Sequence, residues 1–240
     1  MKKILFMINS MGVGGAEKSL SSLLNLFDYQ RYDVYLQMIN RGGAFEKLLP
    51  PQVKILPPIP YFQFCGQPLV KQLIAGNARF LKARLAVSGQ LRKNDRTGKP
   101  LHATQVLWNG ARGAFDPLPG AYDVAVAWGQ GTPTHFVAEK VSAAKKIAWV
   151  NVNYEAAGFD RNCDQEIYGK YDYISCVAAV GKIQGGFPGI CRKSGNDLRH
   201  QQRKDHKEHG GGTGRTPAPA RNGADNCGTV GKAEGVRYRD

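Results

Sequence analysis

Met7–Leu24 reads MINSMGVGGAEKSLSSLL and follows directly on Ile4-Leu5-Phe6. The apolar run Ile4–Ile8 is unbroken, the pattern of a strand covered on both faces. It gives way at Asn9-Ser10 to glycines at Gly12, Gly14 and Gly15. From Ser19 to Phe27 the spacing changes, with Leu20, Leu23, Leu24 and Phe27 on one helical face. A strand, a glycine turn and a helix make a receptor for phosphate. Glycine lets the backbone come close, and the helix N-terminus offers unpaired N–H groups and partial positive charge. A dinucleotide site would have G-x-G-x-x-G, but Glu17 stands where the third glycine belongs. No acidic residue closes the second strand near Gln37–Ile39 to hold a ribose, which disfavours a nicotinamide enzyme. A tight turn with no ligand is the plain alternative.

Working outward, Val34–Ile39 and Val53–Leu56 read as the second and third strands. Tyr122–Ala127, Lys146–Val152 and Asp172–Val177 follow as the fourth, fifth and sixth. Strands alternating with helices imply a parallel sheet with right-handed crossovers, an α/β fold. Between the third and fourth strands, Pro68–Arg92 places Leu69, Leu73, Ile74, Leu81 and Leu85 on one helical face. Lys71, Arg79, Lys82, Arg84, Arg92 and Lys93 surround them with positive charge. Two readings stand: a helix packed on the sheet with a solvated basic side, or one resting on an anionic membrane surface.

Composition sets bounds. The chain has 240 residues and a formal net charge of +14, and no apolar run approaches the roughly 20 residues of a membrane span. Met1-Lys2-Lys3 before Ile4–Ile8 superficially resembles a secretory leader, but the apolar part is short and no small-residue cleavage site precedes Gly12. This reads as a first buried strand in a cytoplasmic protein. Cys65, Cys163, Cys176, Cys191 and Cys227 are scattered and odd in number, so neither a disulfide framework nor a metal site is expected.

After about Val177 the character changes. From Gly181 onward glycine, arginine and histidine dominate, as in RHQQRKDHKEHGGGTGRTPAPARNG, and no apolar period survives. Residues 178–240 therefore read as an irregular or disordered basic tail. Clustered positive charge attracts nucleic acid, but the tail lacks interleaved aromatics for base stacking. A basic nucleic-acid-binding protein with an α/β head, or a stand-alone nucleotide-binding domain, are the rival readings.

The segment KILFMINSMGVGGAEKSLSSLL resembles the opening of family 4 glycosyltransferases, which carry a G-x-G-G-A-E turn after the first strand. YDVAVAWGQGTPTHFVAEKVSAAKKIAWVNVNYEAAGFD and EIYGKYDYISCV continue the resemblance, over roughly residues 1–177. It implies a Rossmann-like N-terminal, acceptor-side domain of the two-domain GT-B architecture. It also implies transfer from a nucleotide-sugar to a polysaccharide or lipid-linked acceptor with retention, with no cofactor and no obligatory metal. Gly14 and Gly15 would lie against the donor diphosphate. Asn151 stands where many members have a histidine near the reacting sugar. Asparagine can position by hydrogen bonds but cannot shuttle a proton. Gln130, Gly131 and Thr134, on the loop after the fourth strand, are candidate acceptor or sugar contacts. For Thr134 and His135 helix capping is the alternative. The implied setting is the inner face of a bacterial membrane, with the basic helix touching anionic lipid.

The family's second domain should follow near residue 180 with a signature like V-G-R-L-x-x-x-K-G-F-D. Ala224–Arg239 does not match as written. Dropping the first nucleotide of its degenerate message permits L-I-T-V-G-R-L-E-K-Q-K-G-F-D-I-A, and the stretch from Phe187 permits F-P-E-Y-A-E-K-V. The expectation is a frame change between about Val177 and Gly186. The basic tail would then be an out-of-frame remnant, nucleic acid would not be its partner, and the chain would be truncated, lack its donor-binding half and be inactive in transfer.

Overall fold

The computed structural model describes residues 1–176, apart from residues 75, 153 and 155. The described strands are β1 Lys2–Ile8, β2 Tyr32–Met38, β3 Lys54–Ile55, β4 Ala121–Trp128, β5 Ser142–Val150 and β6 Tyr173–Cys176. They form one all-parallel sheet in the order β3-β2-β1-β4-β5-β6. From β1 the chain winds outward to β3, then returns to the other side of β1 for β4. The carboxyl ends of β1 and β4 therefore flank the point where the winding reverses, where a crevice opens in such sheets. The helices are α1 Gly15–Asn25, α2 Pro60–Cys65, α3 Leu69–Ile74, α4 Ala78–Asn94, α5 Ala103–Ala111, α6 Thr132–Lys140 and α7 Arg161–Tyr168.

The two-residue period of a strand separates two cores. Leu5, Met7, Ala125 and Ala127 face one core, filled by α4, α5, α6 and α7. Phe6, Ile8, Val126 and Trp128 face the other, closed by Leu20 and Leu24 of α1. Each of these buried leucines contributes about 1.5–3 kcal/mol of transfer free energy. The aromatic ring of Phe6 meets Phe27 and Trp128 edge-on, with both pairs of centroids 5.9 Å apart.

The sequence boundaries shift in instructive ways. α1 starts at Gly15, four residues before the expected Ser19, because Gly14 is extended (φ −172°, ψ 168°) and already serves as the N-cap. β5 ends at Val150 rather than Val152, since the Asn151 N–H turns to the Gln130 side chain at 3.2 Å. β6 starts at Tyr173, and the Asp172 carboxylate instead accepts from the Lys146 N–H at 2.8 Å and the Lys145 ammonium at 2.7 Å. Val177 and the expected tail 178–240 lie outside the described residues.

Pro68–Arg92 is not one helix. Gly76 adopts φ +65°, and the Asn77 side chain caps α4 by accepting from the Phe80 N–H at 3.1 Å. The buried face of α4 is Phe80, Ala83 and Val87, while Leu85 points to solvent. The expected apolar stripe spanned the break, so it ran on across a change of helix axis.

The loop after β1 is fastened to the loop after β2. The Ile39 N–H donates to the Ile8 carbonyl (3.2 Å), Asn40 N–H to Asn9 (2.8 Å) and Phe45 N–H to Met11 (2.8 Å). Gly43 packs so tightly here that a Cβ on it would sit 2.1 Å from the Met11 carbonyl carbon and 2.5 Å from the Gly12 nitrogen. Its φ of −70° is ordinary, so the requirement is steric and not conformational. Gly43→Ala should therefore lower stability by about 1–3 kcal/mol through overpacking. Gly15→Ala, whose Cβ meets nothing within 4 Å, should stay near neutral. Urea-unfolding midpoints of the two variants check this contrast.

Candidate functional site

The candidate site is the carboxyl edge of the sheet around the glycine turn. The first bond of α1 runs from the Lys18 N–H to the Gly14 carbonyl at 3.0 Å. The amides of Gly15, Ala16 and Glu17 therefore have no partner within the helix, and no side chain caps them. Val13 is 90% exposed, and Gly15 is exposed as well. Gly12 is half-buried, its N–H directed to the Ser10 hydroxyl at 3.4 Å. The Glu17 side chain folds back over the turn: a Cβ on Gly14 would lie 2.3 Å from Glu17 Oε2. A carboxylate thus approaches the positive end of the helix without capping it. Trp128 Nε1–H donates to the Ala16 carbonyl at 2.9 Å and ties the first turn of α1 to the end of β4. The Trp128 ring stacks on Trp149, with centroids 4.5 Å apart.

The loop after β4 lies at the same carboxyl edge of the sheet. The half-buried Gln130 clamps the next loop with its side-chain amide. It accepts from the Asn151 N–H and donates to the Val152 carbonyl, both at 3.2 Å. Asn151 sits beside Gly129, and its Nδ2 is sealed from solvent without a hydrogen-bond partner. Gly131 has φ +75°, and a Cβ on it would meet Thr104 Oγ1 at 2.6 Å, so only glycine fits. Thr134 is buried, and its hydroxyl donates to the Gly129 carbonyl at 2.8 Å. Of the residues singled out in the sequence, Gly14 and Gly15 lie at the start of α1, Gln130 and Asn151 on the loops after β4 and β5, and Gly131 and Thr134 are buried at the start of α6.

Beneath this edge lies a polar group that sequence reasoning missed. His135, 2% exposed, directs Nδ1 to the Gly131 carbonyl at 2.6 Å and Nε2 to Asp164 Oδ1 at 2.7 Å. Asp164, 1% exposed, also accepts from the Tyr154 hydroxyl through Oδ2. Burial, then the bond to Asp164, pushes the Tyr154 phenol well above its ordinary range, so it remains a donor. Both ring nitrogens of His135 face acceptors, so the buried group holds the loop after β4 against α7. Gln105, fully buried, makes a parallel link: its Nε2 donates to the Asp160 carbonyl (2.8 Å) and its Oε1 accepts from the Asp160 N–H (3.1 Å). His135 and Asp164 are 29 residues apart on different helices, and no local spacing announces them. Gly43 carried a faint signal, the Gly42-Gly43 pair just after the second strand.

Among the described residues no group of three or more His, Cys, Asp or Glu side chains is placed to hold a metal ion. Nor is any described helix long and apolar enough to cross a membrane. The chain matches no protein-family model, no curated protein and no solved structure.

Asp164→Ala should destabilise the domain by about 3–5 kcal/mol, because it leaves a buried imidazole without its counter-group. Asp116→Ala breaks the exposed pair with Arg79 and should cost under about 1 kcal/mol. Chemical denaturation of both variants separates a buried network from a surface contact.

Proposed function

We propose that residues 1–176 form the acceptor-side half of a retaining, nucleotide-sugar-dependent glycosyltransferase, with Gly14 and Gly15 meeting the donor diphosphate. The observation that carries this reading is the uncapped start of α1 beside the ends of β1 and β4: the amides of Gly15, Ala16 and Glu17 have no partner within the helix, and Gly15 leaves the backbone open on its exposed side. Asn151 supports it from the loop after β5. Its Nδ2 is a buried donor without a hydrogen-bond partner, and the amide is unable to carry a proton. The resemblance of the opening segment to family 4 enzymes supplies the reaction class.

The discriminating experiment is amide NMR during titration with UDP, GDP, inorganic pyrophosphate and NAD. The Gly14 and Gly15 resonances should move with UDP or GDP and with pyrophosphate. Unmoved glycine signals at millimolar UDP and GDP would sink the reading. A response to NAD at comparable concentration would favour a general nucleotide-binding domain instead. Glu17→Gln removes the negative charge beside the turn and should tighten UDP binding about two- to five-fold at low salt, the scale of a charge at a helix end.

The acceptor side includes a surface suited to lipid. Along α3 and α4 the chain exposes Val70, Ile74 and Leu85 and the cations Lys71, Lys82, Arg92 and Lys93, and the segment from Leu69 to Asn94 has no acidic residue. Apolar side chains ringed by cations suit an anionic bilayer surface at the cytoplasmic face. In flotation the protein should rise with phosphatidylglycerol vesicles, lose that preference on Lys82→Glu with Lys93→Glu, and ignore phosphatidylcholine vesicles. Equal recovery with both lipids would remove the membrane from the proposal.

A further inference from the structure

On the face of the sheet opposite α1, a pocket of about 470 Å³ lies between the segment after β3 and the segment before β4. Tyr61, Phe80, Phe115 and Phe136 supply aromatic walls, and five prolines lie in the two rim segments 57–60 and 117–119. Proline has a fixed φ and no freely rotating side chain, so such a rim resists collapse into an empty space. The volume lies within the range of sites for small organic molecules.

One lining residue, Gln37, is polar and buried. Gln37 is 0% exposed. Its Nε2 donates to the Met38 carbonyl at 3.0 Å and the Pro57 carbonyl at 3.2 Å, while its Oε1 has no hydrogen-bond partner. Those two carbonyls fix the amide's orientation, since reversing it would set oxygen against oxygen. A buried acceptor is thus left unsatisfied at an otherwise apolar pocket, an arrangement that calls for a donor. The charged lining residue, Asp116, is at the exposed rim with its carboxylate held by Arg79 at 2.7 Å.

We propose that this pocket binds a small uncharged apolar molecule, or the apolar end of a larger one, carrying a hydroxyl or N–H that donates to Gln37 Oε1. The pocket shares no residue with the glycine turn, so the inference stands independently of the transferase reading.

Matched probes test it: 4-octylphenol, which has the donor, and 4-octylanisole, which has nearly the same shape without it. Calorimetric titration of the full chain should show the phenol binding about tenfold more tightly or better, the effect of one buried neutral hydrogen bond. Gln37→Leu should bring the two affinities together. Leu118→Trp, at the half-buried rim, should abolish binding of both while thermal melting reports an intact fold, so the test survives even if Gln37→Leu does not fold. Failure of the phenol to bind, equal affinity for the two probes in the unmutated protein, or unchanged binding in Leu118→Trp would each overturn the proposal.

Discussion

The contact of Gly43 with the Met11–Gly12 backbone sets the shape of the carboxyl edge. Two loops meet there at a distance that no side chain could share. That approach lets the Phe45 N–H reach the Met11 carbonyl and extends the β1–β2 ladder past the strands into the glycine turn. Trp128 completes the restraint from β4 by holding the Ala16 carbonyl. The helix N-terminus therefore keeps unpaired amides on a scaffold secured by distant residues. Its own side chains contribute no cap, and its one carboxylate, Glu17, lies alongside.

The opposite face holds buried polar groups that are paired: His135 between Gly131 and Asp164, and Gln105 against both backbone groups of Asp160. Such groups fix geometry because a buried donor or acceptor costs free energy unless it is paired. They hold the loop after β4 to α7 and the loop before α7 to α5. Gln37 and Asn151, like Gln72 and Trp149, each keep one polar atom unmatched. Gln37 lines the apolar pocket, and Asn151 lies on the loop after β5.

Much of the architecture was legible in the residues. The five-residue apolar run at Ile4–Ile8, the glycines after it and the recurrence of short apolar segments were enough for a parallel α/β sheet. Each segment had to bury both faces, and its periodicity reports that directly. Element edges were less legible, because they depend on single hydrogen bonds such as Asn151 to Gln130. The Pro68–Arg92 stripe misled for a related reason: Gly76 breaks the helix by adopting a positive φ, a conformation its sequence neighbours permit without requiring.

The sequence by itself determined the layering, the glycine turn between the first strand and the first helix, and the basic, acid-free segment between the third and fourth strands. These follow from local periodicity and from the residue types that a turn or a helix face demands. Only the tertiary structure decided that Gly43 must be glycine and that Thr134 is a buried structural hydroxyl. It also decided that His135, Asp164 and Tyr154 form one group, and that Gln37 stands unpaired at a pocket. Each depends on contacts between elements far apart along the chain, which the order of residues does not encode until the sheet brings them together.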